Sequence, residues 1–352
     1  MKLVLLPFLA IAFALCGPAR ANPVIPDVIA GFVRPAYETF HSASSKLGGD
    51  MDALCAKPSA ERLSAAERAF LAAVTAWSEV EIIRFGPATE ENRLERILFW
   101  PDRKSIGLKQ VQRALAEEDA SAADPATLAG KSVAMQGLGA LEFILFGTGA
   151  EGLVEPGGAY RCAYGRAIAA NLQGMAAAIL AGWQSPDGIA RQWANPGADN
   201  SLYRTDGEAL TELLDIFIHG FEMVRDVRLN GFLGEEADGD KPKQAIFWRS
   251  GATLASIDAN LRGLRKLFEA SGFSSLLPQD SAWIADSVGF EFANAGRALD
   301  MDGPIAEILA DPAQREKLAY ARLVTSSLSE LFGAKLTAAL GLTAGFSSLD
   351  GD

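Results

Sequence analysis

A chain of 352 residues with 49% hydrophobic and 22% charged residues is too apolar for a disordered protein and long enough for two hydrophobic cores. Its formal net charge of -12 repels nucleic acid and anionic lipid and favours cationic partners only weakly. His41 and His219 are the only histidines, so any activity must be built mainly from carboxylates, arginines and amides.

In chain order, the first element is "MKLVLLPFLAIAFALCGPARA", which runs from Lys2 through a short apolar core to Ala19-Arg20-Ala21. That small-x-small ending is the pattern signal peptidase cuts, so residues 1–21 read as a signal peptide and Asn22 as the first mature residue. Leu15, before Cys16, is not the small residue of a lipoprotein anchor site. No later stretch reaches the roughly 20 uninterrupted apolar residues of a membrane helix, so export to the periplasm without a transmembrane segment is expected. Cleavage removes Lys2 and Arg20 and no acid, taking the charge from -12 to -14. Cys55 and Cys162 remain, and in an oxidising compartment an even pair reads as one disulfide; two free buried thiols are the alternative.

The mature chain shows helical periodicity and no convincing strand alternation. "SAAERAFLAAVTAWSEVEIIRF" places Ser64 and Glu67 in capping-box spacing, predicting a helix that starts there and stops at Gly86-Pro87. In "FWPD", Pro101 ends one helix and Asp102 caps the next. Asp124-Pro125 and Asp311-Pro312 read as N-caps followed by proline at the first helical position, and Thr205 with Glu208 repeats the capping box. Glycines 147, 149, 272 and 303 punctuate the ends of apolar runs. About four substantial helices precede residue 185 and about four follow 203. The architecture expected is all-α, two four-helix-bundle-like domains side by side: residues 22–185, a turn-rich linker over 186–202 with room for one short helix, and 203–352. A polar loop, "GEEADGDKPKQ", should be exposed, and the scattered tryptophans should fill cores.

Chemistry concentrates in two places. In "QGLGALEFILFG", Gln136, Gly139 and Glu142 recur every third residue and share a helix face within about 120°. A carboxylate on so apolar a helix needs a partner, because burying it alone costs several kcal/mol. In the second half, Asp215, His219, Glu222 and Asp226 fall within about 60° on one face, either a metal-binding set for iron, zinc or manganese or a solvated face. Arginines can answer the acids: Glu81 and Arg84 are a turn apart, as are Glu222 and Arg225, and Arg249 follows Phe247-Trp248. Either they form an interior network clamping Glu142 through Arg84 or Arg225, or they line a cleft that binds an anionic or chelated ligand. Glu291 and Asn294, one turn apart, belong to that cleft or only to packing. His41, without flanking ligands, reads as ordinary.

"GLGALEFILFG" resembles the signature of the imelysin-like family, GxHxxE followed by an apolar run and a glycine. Gly137 and Glu142 match, while Gly139 stands where the histidine belongs. "AWSEVEIIRFGP", "RILFWPDRKSIGLKQVQRAL", "YRCAY", "FEMVRDVRLNGFLG" and "FWRSGATLASIDANLRGL" resemble the same family. The resemblance implies two four-helix bundles with a cleft holding the motif, a link to iron uptake, and relatives described as metallopeptidases. Without the histidine a peptidase is not expected here, since one Glu does not hold a zinc ion. The expected activity is binding of a small ligand or metal species, iron or another divalent metal, in an inter-bundle cleft. Its residues would be Glu81, Arg84, Gln136, Gly139, Glu142, Glu222, Arg225, Arg249 and Glu291, with Glu142, His219 and Glu222 as metal ligands. The rivals are a metallopeptidase with an unorthodox site at His219 and Glu222, and an interaction module with a cell-envelope protein partner.

Overall fold

The computed structural model describes residues 23–102 and 104–342, which contain helices and turns and no strand. The expected signal peptide lies outside the described residues. Helix starts at Val24, passes through a π segment at Ile29–Val33, and continues without a break into α1 (Arg34–Ala56). Then come α2 (Ala60–Val80), α3 (Arg93–Ile97), α4 (Ile106–Glu117), α5 (Leu138–Phe146) and α6 (Ala159–Gln184). The second half holds α7 (Ile189–Ala194), α8 (Asp206–Glu222), α9 (Thr253–Ser271), α10 (Trp283–Leu299), α11 (Ile305–Ala310) and α12 (Pro312–Glu330). None of the described helices is long and apolar enough to cross a membrane.

Most caps fall where side-chain chemistry puts them. Asp124 accepts the Ala126 N–H, Asp311 accepts those of Ala313 and Gln314, and Thr205 accepts that of Glu208. Asp102 takes the Ile106 and Leu108 N–H groups at the head of α4. The predicted start of α2 is five residues late: Ser59 caps the helix by accepting from the Arg62 N–H, and Ser64 is inside it. Its end is also earlier than Gly86-Pro87, because the chain leaves the helix at Glu81 and the Ile83 carbonyl is taken by the Tyr37 hydroxyl at 3.2 Å.

In the first half α1 packs along α2 and α6, with α5 laid across α6. In the second, α10 packs on α12 and α9, and α8 on α12 and α9. The halves meet chiefly where α2 lies against α9. Gly263 permits this approach, since a Cβ there would run into the Glu79 carbonyl. Across the same seam the Ser78 and Ser256 hydroxyls sit 2.7 Å apart, and Asn260 Nδ2 donates to the Ser78 carbonyl at 2.6 Å.

The segment expected as a linker is pinned into the core. Trp193 of α7 is fully buried between Phe85 and Trp183, and its Nε1 donates to the Ala209 carbonyl at 2.9 Å. Trp283, expected in a core, is 51% exposed, while Trp100 and Trp248 are half-buried and line cavities. The polar loop is exposed as expected except at Gly234, Pro242 and Asp240, whose carboxylate is paired with Arg315 at 2.8 Å.

Cys55 and Cys162 form a disulfide joining the end of α1 to the first turn of α6, across a separation of 107 residues. Loop-closure entropy makes such a link worth about 4–5 kcal/mol. Urea unfolding with and without reductant should therefore show a loss of about 2–5 kcal/mol on reduction; equal midpoints would mean that the bond does not constrain the unfolded chain.

Candidate functional site

Glu142 sits on α5, whose Leu138, Leu141, Ile144 and Leu145 are all buried, and it is itself only 3% exposed. Gly137, just before the helix, lies so close to the Ile97 and Arg96 carbonyls that a Cβ there would strike them. The partner of the carboxylate comes from the loop before α9. Glu142 Oε1 accepts from the Arg249 N–H, the Ser250 N–H and the Ser250 hydroxyl, each at 3.0 Å. Its Oε2 lies 3.8 Å from the Arg249 guanidinium, which rests over the rings of Trp248 and Phe143. Burial pushes the Glu142 carboxyl up and the Arg249 guanidinium down, so desolvation outweighs their attraction at both ends.

The clamp expected from Arg84 or Arg225 is not what holds Glu142. Arg84 is exposed at the rim of another cavity, and Arg225 makes two bonds to Asp226, at 2.8 and 2.6 Å. Gln136 is not on the Glu142 face either. The helix begins only at Leu138, and the Gln136 amide is turned to Arg96, Asn171 and the Lys131 carbonyl. Gly139 does open onto space: a Cβ there would meet nothing within 4 Å, and it lines a small cavity of about 70 Å³ with Glu142, Arg249 and Trp100. Glu291 is elsewhere, accepting from Ser327 and Asn294 between α10 and α12.

A larger cavity, about 320 Å³, lies between the two halves. The first half supplies Trp77, Glu81, Arg84, Leu94, Glu95 and Trp100, the second His219, Glu222, Met223 and Arg228. Of the expected cleft residues, Glu81, Arg84, His219 and Glu222 thus share one wall system. Glu81 pairs with Arg228, a residue sequence reasoning missed, rather than with Arg84. Arg228 donates to both Glu81 oxygens at 2.9 Å, Asn260 adds a third bond at 2.8 Å, and both charged side chains are almost fully buried.

The reason Arg228 reaches inward is a change of helical period. After Glu222 the chain continues as a π segment, Met223–Leu229, so residues beyond it leave the face extrapolated from α8. Asp226 accordingly departs from the Asp215, His219, Glu222 stripe and lines a groove of about 600 Å³ with Lys241, Lys243, Trp248 and Arg249. Within α8 itself, burial and the neighbouring Asp215 push the Glu212 carboxyl up, and His219 partly offsets this. Trp100 borders the Glu142 cavity, the central cavity and this groove.

The imelysin family model, a peptidase-family model, matches residues 33–331, most of the chain. The chain belongs to the imelysin family. The imelysin fold is seen in a solved imelysin-like protein from Psychrobacter arcticum, 21% identical with a TM-score of 0.76 over 93% of this chain and 97% of that one. A putative iron-regulated protein A precursor from Parabacteroides distasonis is 16% identical, with a TM-score of 0.70 over 92% of this chain and 97% of its own. By sequence, the iron-regulated protein A of Synechococcus elongatus is 23% identical over 337 residues, 91% of this chain and 88% of that protein.

The donor set of this imelysin does not fit a bare metal ion at the residues expected to hold one. Glu142 spends Oε1 on three hydrogen bonds and presents Oε2 to a guanidinium, and it lines a different cavity from His219 and Glu222. Among the described residues no three His, Cys, Asp or Glu side chains gather as a metal-holding group. His219 and Glu222 do line one cavity, but Arg84 and Arg228 line it with them.

Replacing Glu142 tests its role as the loop's acceptor. Glu142→Ala strands two N–H groups and a hydroxyl and should lower unfolding stability at pH 7 by about 2–4 kcal/mol. Glu142→Gln keeps an oxygen acceptor and removes the titration. Because burial raises the folded carboxyl above the ordinary 4.5, the stability this group contributes is full below that value and is lost as pH rises through the folded value. Wild type should therefore gain stability relative to Glu142→Gln on acidification towards pH 4.5; parallel pH profiles would contradict the assignment.

Proposed function

We propose that this protein is an exported, non-catalytic binding protein of the periplasm whose inter-half cleft takes a small organic or chelated ligand, in the service of iron handling. The observation that carries this is the central cavity, walled by both halves and floored by buried charge. Export is supported by the signal-like first 21 residues, by the disulfide, and by the Parabacteroides relative being a precursor. The iron link is supported by the names of two relatives, each called iron-regulated protein A. Gly139 in place of the motif histidine, and a Glu142 already committed to the Arg249-Ser250 loop, argue against hydrolysis at the signature.

The rival is a metallopeptidase using His219 and Glu222, favoured by their place on one cavity wall. Purified mature protein should cleave none of several unfolded protein substrates, with or without zinc; chelator-sensitive cleavage abolished by His219→Ala would replace the binding reading with the enzymatic one. For the iron link, immunoblots of the host grown with and without iron should show more of the protein when iron is scarce, and an unchanged level would remove that part.

A further inference from the structure

The groove of about 600 Å³ is a second space between the halves, and it shares only Trp100, Pro101 and Val227 with the central cavity. Two acids and three bases line it, and they differ in how far they are satisfied. Asp102 has each oxygen on a backbone N–H, and Asp226 has each oxygen on Arg225. Lys241 and Lys243 are exposed, and neither has a carboxylate partner among the described residues. The Arg249 guanidinium makes no hydrogen bond among them: its carboxylate neighbour, Glu142, stands at 3.8 Å, and the side chain keeps 19% of its surface exposed.

The positions of two of these bases are fixed by one ring. Lys243 Nζ lies 6.0 Å and the Arg249 guanidinium carbon 4.4 Å from the centre of the Trp248 ring, and all three residues line the groove. Cation–π attraction thus gathers two positive charges at the wall while their N–H donors stay unclaimed and within reach of solvent. Burial holds the Arg249 guanidinium below its usual range in spite of Glu142, so a further anion beside it would be favoured. An entering cation would find every carboxylate oxygen of Asp102 and Asp226 already bonded. An entering anion would find three bases free to donate, one of them a guanidinium that suits a carboxylate in bidentate fashion. Trp100 supplies the apolar counterpart: it is half-buried, and no aromatic ring or cation covers its indole among the described residues. The volume is in the range of small-molecule sites.

We propose that this groove is a binding site, separate from the central cavity, for a planar aromatic dianion of the aryl dicarboxylate kind. Its anionic groups accept from Lys241, Lys243 and Arg249, and its ring packs against Trp100. A chain of net charge -12 repels such a ligand at long range, so its affinity rests on these local contacts.

The test is calorimetry of the protein at low salt against isophthalate and naphthalene-2,6-dicarboxylate, with benzoate, cyclohexane-1,3-dicarboxylate and benzamidine in parallel. At least one aryl dicarboxylate should bind about tenfold or more tighter than benzoate, as one lost charged hydrogen bond implies, and tighter than the cyclohexane dianion, which lacks the flat ring. Lys241→Gln combined with Lys243→Gln, both at exposed positions, should weaken it about tenfold or more. Arg84→Gln, at the rim of the central cavity, should leave it unchanged, and Trp100→Leu should erase the advantage of the aryl over the cyclohexane dianion. Binding of benzoate, the cyclohexane dianion or benzamidine as tightly as either aryl dicarboxylate would overturn the proposal. Affinity lost in Arg84→Gln and kept in the double lysine variant would move the anion to the central cavity and overturn it too. No binding of either aryl dicarboxylate at millimolar concentration would also overturn it, and would leave the reading of the central cavity untouched.

Discussion

The Glu81–Arg228 ion pair is the constraint on which the arrangement of the halves depends. Taking two charges out of water carries a large desolvation cost, and the pair meets it with both carboxylate oxygens engaged and a further bond from Asn260. The three residues come from the end of α2, the π segment after α8, and α9, so satisfying them fixes three elements at once. The Ser78–Ser256 contact and the Gly263 approach then hold α2 against α9 in the register that the pair requires. A polar floor at the meeting of two apolar bundles is the direct result, and the central cavity opens above it.

Glu142 solves the same problem differently. It answers its desolvation mainly with neutral donors, two backbone N–H groups and a hydroxyl, and keeps Arg249 at a distance where attraction only partly offsets burial. In doing so it staples the loop before α9 onto α5 and places Arg249 and Trp248 beside the outer groove. Glu142 thus acts as an architectural acceptor, beside the open space at Gly139.

Local rules carried the sequence reading furthest. Caps at Asp102, Asp124, Thr205 and Asp311 depend only on neighbouring backbone, and they stand as expected. The need of Glu142 for a partner followed from burying a charge on an apolar helix, but the partner's identity did not, since backbone N–H groups of residues 249 and 250 leave no mark in composition. Glu81, Arg84, His219 and Glu222 were visible as polar residues at helical spacing and do meet at one cavity. Arg228 was hidden because extrapolation at 3.6 residues per turn fails in a π segment, which also misplaced Asp226 and Arg225. Asn260 could have been noticed as an amide among Ile257, Leu261 and Leu264, all buried on the inner face of α9. Gln136 was misread by extending α5 two residues too far towards its N-terminus.

The central claim is that the cleft floored by Glu81 and Arg228 is a binding site. The most direct measurement is a crystal structure of the protein purified from its own host. The account predicts density for a small molecule in the cavity bounded by Trp77, Trp100, Glu222 and Arg228; a cavity holding only ordered water, with the same molecule-sized space left open in crystals grown from cell extract, would contradict it.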